Sequence, residues 1–146
     1  QNNTELEQAL AWMDRAIYFR IMGEKNFRTL STKAAVLMKM NRVADARKVM
    51  EEALPLGNML DVHFYGRQLL SMKEADEAMK VYKMNYAKYP NEFTTNIGMG
   101  RAYSAKGDYK KALSYMKTAL PKAPDDGNRA NVETMIKKLQ ESQDVN

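Results

Sequence analysis

Small and apolar residues recur at helical spacing along most of the chain, most regularly over residues 96–124. Met99, Gly100 and Tyr103 mark a first segment there, and Ala112, Met116 and Ala119 a second, with charged residues between them. Spacings of three and four residues place such positions on one helix face. Gly107 and Asp108 separate the two segments and read as a tight turn. Pro124 reads as the stop of the second, since proline cannot continue the helical hydrogen-bond ladder. Gly100 and Ala112 are small where two antiparallel helices cross, and Tyr103 and Met116 fill the space above and below. The stretch predicts a helical hairpin.

Most of the remaining chain repeats this pattern. Val62, Tyr65, Gly66, Leu69, Ala78, Tyr82 and Pro90 reproduce it, as do Leu30, Ala34, Leu37, Ala46, Met50 and Ala53, with a turn at Asn41 and Arg42. Ala78 and Ala112 stand 34 residues apart, and Ala46 and Ala78 only 32, so the connection around Gly57 must be tight. Ala9 and Ala46 are 37 apart, which places a short insertion at residues 21–26. Residues 4–19 match only the second helix of a hairpin, opened by a capping box of Thr4 and Glu7. A half-repeat leaves an apolar face uncovered, so a preceding segment is expected, with Trp12 read as packing. Two positions depart from the pattern. Lys33 stands where a large apolar residue is expected, which suggests a looser contact, and Asn85 stands where a small apolar one is expected. Residues 124–127 form a turn. Val132, Met135, Ile136 and Leu139 then stripe a last helix, read as the cap that a helical array needs, before a frayed end at 142–146.

The expected architecture is all-α: one domain over 1–146, a short right-handed α-solenoid of antiparallel helix pairs. It comprises a partial repeat at 4–20, repeats at 27–57, 59–90 and 93–124, and a C-terminal capping helix at 128–141.

Composition narrows the function classes. Of 146 residues, 45% are hydrophobic and 28% charged, ordinary for a chain that buries a core. No apolar run approaches the ~18 residues of a membrane span, so no membrane insertion is expected. The net charge of +5 invites a nucleic-acid reading. Lys and Arg are interleaved with acids at helical spacing, however, which reads as solvated faces and no nucleic-acid partner. With no cysteine, disulfides and thiolate metal sites are excluded. His63 is the single histidine and has no acid cluster at ligand spacing. No phosphate loop, nucleophile elbow or zinc-protease motif is present. No catalytic residue, metal or cofactor is therefore expected, and the chain does not read as an enzyme. The twelve methionines read as packing, with Met38 alone on a groove floor.

Asn96, Met99, Gly100, Tyr103, Ala112, Met116 and Pro124 resemble the tetratricopeptide repeat, whose motif is Trp-x2-Leu-Gly-x2-Tyr, Ala-x3-Phe, Pro over about 34 residues. Asn96 stands for the Trp and Met116 for the Phe. More narrowly, EQALAWMDRAI, HFYGRQLL, GRAYSAKGDYKKALSYMKTAL and NVETMIKKL resemble the carboxy-terminal repeat region of a bacterial family of unknown function, typical of Bacteroidetes. In that family an exported β-rich domain precedes the repeats. The resemblance implies a periplasmic or otherwise exported parent protein and carries over no catalytic residue. The tetratricopeptide class that binds acidic chaperone tails uses groove Lys and Asn residues. Here Ala35, Arg67 and Arg101 stand at the Asn positions, a departure that argues against that ligand.

In such arrays the first helix of each pair lines the concave face. The groove positions are then Arg28, Ser31, Ala35, Met38 and Lys39; Leu60, His63, Arg67, Leu70 and Ser71; and Thr94, Ile97, Arg101, Ser104 and Ala105. Arg67 and Arg101 occupy the same position in successive repeats, with His63 one turn before Arg67. Two guanidinium groups so placed form a fork for a carboxylate or phosphate, unless neighbouring acids already pair with them. The expected function is a non-catalytic scaffold that takes a peptide or protein segment in this groove. The alternative is a structural module that packs onto its own upstream domain or self-associates through an apolar patch of Leu10, Trp12 and Ile17.

Overall fold

The computed structural model describes the backbone of residues 2–18 and 25–146 and the side chains of 4–15 and 25–146. These residues form α1 (Asn2–Tyr18), α2 (Phe27–Lys39), α3 (Val43–Ala53), α4 (Met59–Ser71), α5 (Ala75–Lys88), α6 (Phe93–Ala105), α7 (Tyr109–Ala119) and α8 (Asp126–Gln140). Single 3-10 turns at Leu54–Leu56 and Leu120–Lys122 follow α3 and α7, and there is no strand among the described residues. The chain divides into two compact units, 1–58 and 59–146.

In the first unit α2 and α3 pair through buried Leu30, Ala34 and Leu37 on one side and Ala46, Met50 and Ala53 on the other. Asn26 starts α2: its Oδ1 accepts from the Thr29 amide at 3.0 Å while Thr29 Oγ1 accepts from the Asn26 amide at 3.3 Å. Lys33 does not loosen the packing. Its side chain is only 14% exposed and its ammonium pairs with Asp14 of α1, so the stem packs and the charge is neutralised. Trp12, expected to pack, is 69% exposed, whereas Leu10 is buried. The side chain of Ile17 and most of the 21–26 connector lie outside the described residues, so Trp12 alone represents the expected apolar patch.

The second unit pairs α4 with α5 and α6 with α7, and α8 packs on α7. Its crossing point is the ring of Tyr82, which is 1% exposed. An added Cβ would stand 2.5 Å from that ring at Gly66 and 2.4 Å at Gly98, so α4 and α6 both need a bare backbone there. At Gly100 the nearest atom is the terminal methyl of Met116, at 2.7 Å. Asn85 is fully buried, and its Nδ2 donates to the Met59 carbonyl at 2.9 Å, tying α5 to the start of α4. An alanine could not make that bond.

Asn41, Lys73 and Gly107 reverse the chain after α2, α4 and α6, with φ of 61, 64 and 76°. The next amide donates to the carbonyl five residues back each time: Arg42 to Leu37, Glu74 to Leu69, Asp108 to Tyr103. The stop after α7 differs from expectation. Pro121 ends the α-helix by converting it to a 3-10 turn, and Pro124 lies beyond. The 124–127 stretch is not a free turn: Asp125 accepts from the Asn128 amide at 2.7 Å and caps α8.

The expected frayed end is ordered. Ser142, with φ of 58°, and a Gln143 amide bond to Lys138 close α8 in the same way as α2, α4 and α6. Val145 then returns to the core formed by Ile97, Met116, Val132 and Leu139.

Candidate functional site

Three helices of the second unit, α4, α6 and α8, line an open groove of about 510 Å³. From α4 come Leu60, His63, Phe64 and Arg67, at spacings that make one helical stripe. From α6 come Phe93, Thr94, Ile97 and Arg101, and from α8 Asn128, Asn131, Val132, Thr134, Met135 and Lys138. Arg67, Arg101 and Lys138 bring three cations to this lining, and it contains no Asp or Glu. Leu60 and Phe64 are 50% and 60% exposed, an apolar lip beside the cations.

The two arginines differ in environment. Arg67 is exposed and makes no hydrogen bond or ion pair with another described residue. Arg101 is half-buried, and its Nη1 donates to the Val145 carbonyl at 3.3 Å and to Asn146 Oδ1 at 3.4 Å. Its Nε is buried without a partner among the described residues. Burial first, and the like charge of Arg67 second, hold the Arg101 guanidinium below its ordinary value. No carboxylate is hydrogen-bonded to either arginine among the described residues; Asp144 acts on Arg101 through its charge alone, and no acid does so at Arg67.

His63 is buried beside them. Its pKa is lowered to about 4, by burial first and then by the charges of Arg101 and Arg67, so it is neutral near pH 7. Its Nδ1 has no partner among the described residues, and its ring lies 5.7 Å from that of Tyr82 and 5.9 Å from that of Phe64. It serves as a neutral wall. No cluster of three metal-ligating side chains exists among the described residues.

Of the residues expected in a groove, this one gathers Leu60, His63, Arg67, Thr94, Ile97 and Arg101. Leu70 and Ser104 are buried, at 7% and 1% exposure, the latter beneath the chain's own last residues. Arg28, Ser31, Met38 and Lys39 belong to α2 of the first unit, where Arg28 and Lys39 are exposed and Ser31 and Met38 half-buried. Sequence reasoning missed Phe64, Phe93 and the α8 wall. Asn128, Asn131, Met135 and Lys138 do share one helical stripe, but Val132 and Met135 read first as part of the apolar stripe that packs α8 on the core.

Residues 69–136 match the family model of the tetratricopeptide repeat. No curated protein matches the chain, and no solved structure does. The described residues are all helical without a strand, and their antiparallel pairing together with the match over 69–136 is consistent with the fold class of tetratricopeptide-type α-solenoids. Repeats of this kind generally mediate protein–protein interaction. No described helix is long and apolar enough to cross a membrane.

Proposed function

We propose that the chain is a non-catalytic protein-interaction scaffold whose α4–α6–α8 groove takes a peptide or protein segment carrying both acidic and apolar side chains. The observation that carries this reading is the lining itself: Arg67, Arg101 and Lys138 with no carboxylate, beside exposed Leu60 and Phe64. A carboxylate entering between the arginines would relieve their mutual repulsion and accept charge-assisted hydrogen bonds. The cations would steer encounter and fix register, and the apolar lip would hold the ligand by desolvation. An exported setting, implied by the narrower family resemblance, would leave this chemistry unchanged.

Selection from a random displayed peptide library, against wild type and Arg67→Glu, tests the reading. Peptides rich in Asp or Glu next to Leu, Ile or Phe should be enriched by wild type and lost from the variant, with unchanged circular dichroism. Enrichment without acidic residues, or equal capture by both proteins, overturns it.

A second reading, self-association or packing onto another domain, is favoured by Trp12, 69% exposed on α1. Light scattering over a wide concentration range decides it. A mass that doubles for wild type and not for Trp12→Ala supports association, and a monomer throughout removes self-association.

A further inference from the structure

The groove face of α6 continues past Arg101 to Ser104, and there it is already filled by the chain itself. Ser104 Oγ donates to Asp144 Oδ1 at 2.6 Å and accepts from the Val145 amide at 3.1 Å. The Val145 side chain is 7% exposed and sits in the core formed by Ile97 and Met116. Arg101 Nη1 donates to the Val145 carbonyl, and Asn146 Nδ2 donates back to the Arg101 carbonyl at 3.0 Å. One carboxylate is read by a hydroxyl, one aliphatic side chain by a pocket, and one amide and one carbonyl of the main chain by side chains. This is how a helix face recognises a short extended peptide.

Three features separate this contact from ordinary helix capping. The α8 cap is already complete at Ser142 and Gln143, so residues 144–146 are not needed to close the helix. Arg101 is shared: it lines the open groove and binds the tail. The tail also carries the chemistry that the groove lacks, a carboxylate.

The geometry points to a peptide subsite at Arg101 and Ser104 for an extended acid–aliphatic segment, held in cis by Asp144–Val145–Asn146 and opened when a partner segment of the same pattern displaces it. This inference rests on the groove reading and deepens it. A tether of three residues beyond α8 keeps the tail at high effective concentration, so the affinity of any competing segment is scaled down to the fraction of time the tail is undocked.

The probe is a labelled Ser-Gln-Asp-Val-Asn peptide, followed by fluorescence polarisation against the full chain and two full-chain variants. Wild type should bind it weakly. The variant Asp144→Lys with Val145→Asp, whose own tail cannot dock, should bind it at least about tenfold more tightly. Asp144→Ala, which removes the Ser104 contact and the tail's own Asn146 contacts at an exposed residue but leaves Val145 in place, should shift affinity in the same direction by less and decides the matter if the double variant loses its helical signal. Adding Ser104→Ala should abolish the gain. Equal binding to wild type and Asp144→Ala, or no binding to any folded variant, overturns the inference. The groove reading fails separately: the tail peptide would then bind as described while Arg67→Glu leaves capture of acid-rich peptides unchanged. Conversely, library peptides that need Arg67 but bind wild type and tail variants equally would leave the groove standing and sink the subsite.

Discussion

The backbone of Gly98 lies against the ring of Tyr82 so closely that a Cβ on Gly98 would stand 2.4 Å from Tyr82 Cδ1. The ring is buried between α4 and α6 and has nowhere to go. Gly98→Ala should therefore destabilise the fold by about 1–3 kcal/mol through overpacking, despite the gain in helix propensity. Gly100→Ala should cost less, because the atom it would press hardest is the terminal methyl of the flexible Met116 side chain, although Sδ and Cγ at 3.2 and 3.3 Å must also give. Urea midpoints of the two variants check the contrast. Equal losses would place the tight crossing elsewhere.

Lys73 holds a φ of 64° with an exposed side chain. At the equivalent position after α6 the residue is Gly107, for which that conformation carries no steric cost. Lys73→Gly should stabilise the protein by about 0.5–1 kcal/mol. A rise in the denaturation midpoint supports this, and a fall would mean that the lysine contributes more than its backbone strain removes.

His63 stays neutral in the fold down to about pH 4, whereas an unfolded histidine takes its proton near 6.5. Above pH 6.5 neither state is protonated and His63 leaves stability unaffected. As pH falls towards 4, the unfolded chain binds a proton that the folded chain refuses, so stability drops. Between pH 7 and pH 5 the loss should reach about 2 kcal/mol. His63→Gln should flatten that slope in urea titrations. Arg67→Ala should raise the titration of His63 seen by NMR, because the Arg67 charge is among its causes.

Asp144 titrates in a different window. Burial opposes its ionisation, but hydrogen bonds from Ser104 and Asn146 outweigh it and hold the carboxyl below the ordinary 3.8. Its contribution to tail docking is thus intact above pH 3.8 and lost as pH falls below. Protection of the Val145 amide from hydrogen exchange, corrected for the intrinsic rate, should stay level from pH 7 to 5 and collapse only below about pH 4. A collapse near pH 6 would tie the tail to His63 instead.

Helix pairing was legible because it rests on local spacing. Ala78 and Ala112 are each 0% exposed and Ala46 is 2%, as a crossing of two helices requires. The partners of the exceptions were not legible. Whether Lys33 meets Asp14, or Asn85 meets the Met59 carbonyl, depends on neighbours 19 and 26 residues away. Arg67 and Arg101 could be placed side by side because each follows a packing glycine by one residue. The α8 wall could not, since nothing local fixes the rotation of a helix that lies outside the repeat motif. The tail was hidden for a related reason: Asp144 and Ser104 meet across 40 residues, and three residues carry no periodicity.

In the proposed function the groove, whose lining carries no Asp or Glu, receives a carboxylate at Arg67. The most direct test is a charge swap: the affinity of one selected peptide and of its Glu→Lys counterpart, each titrated by calorimetry into wild type and Arg67→Glu. Wild type should prefer the Glu peptide and the variant the Lys peptide, each mismatched pair being weaker by about tenfold or more. If folded Arg67→Glu binds the Glu peptide as tightly as wild type does, the ligand does not pair with Arg67 and the claim is wrong.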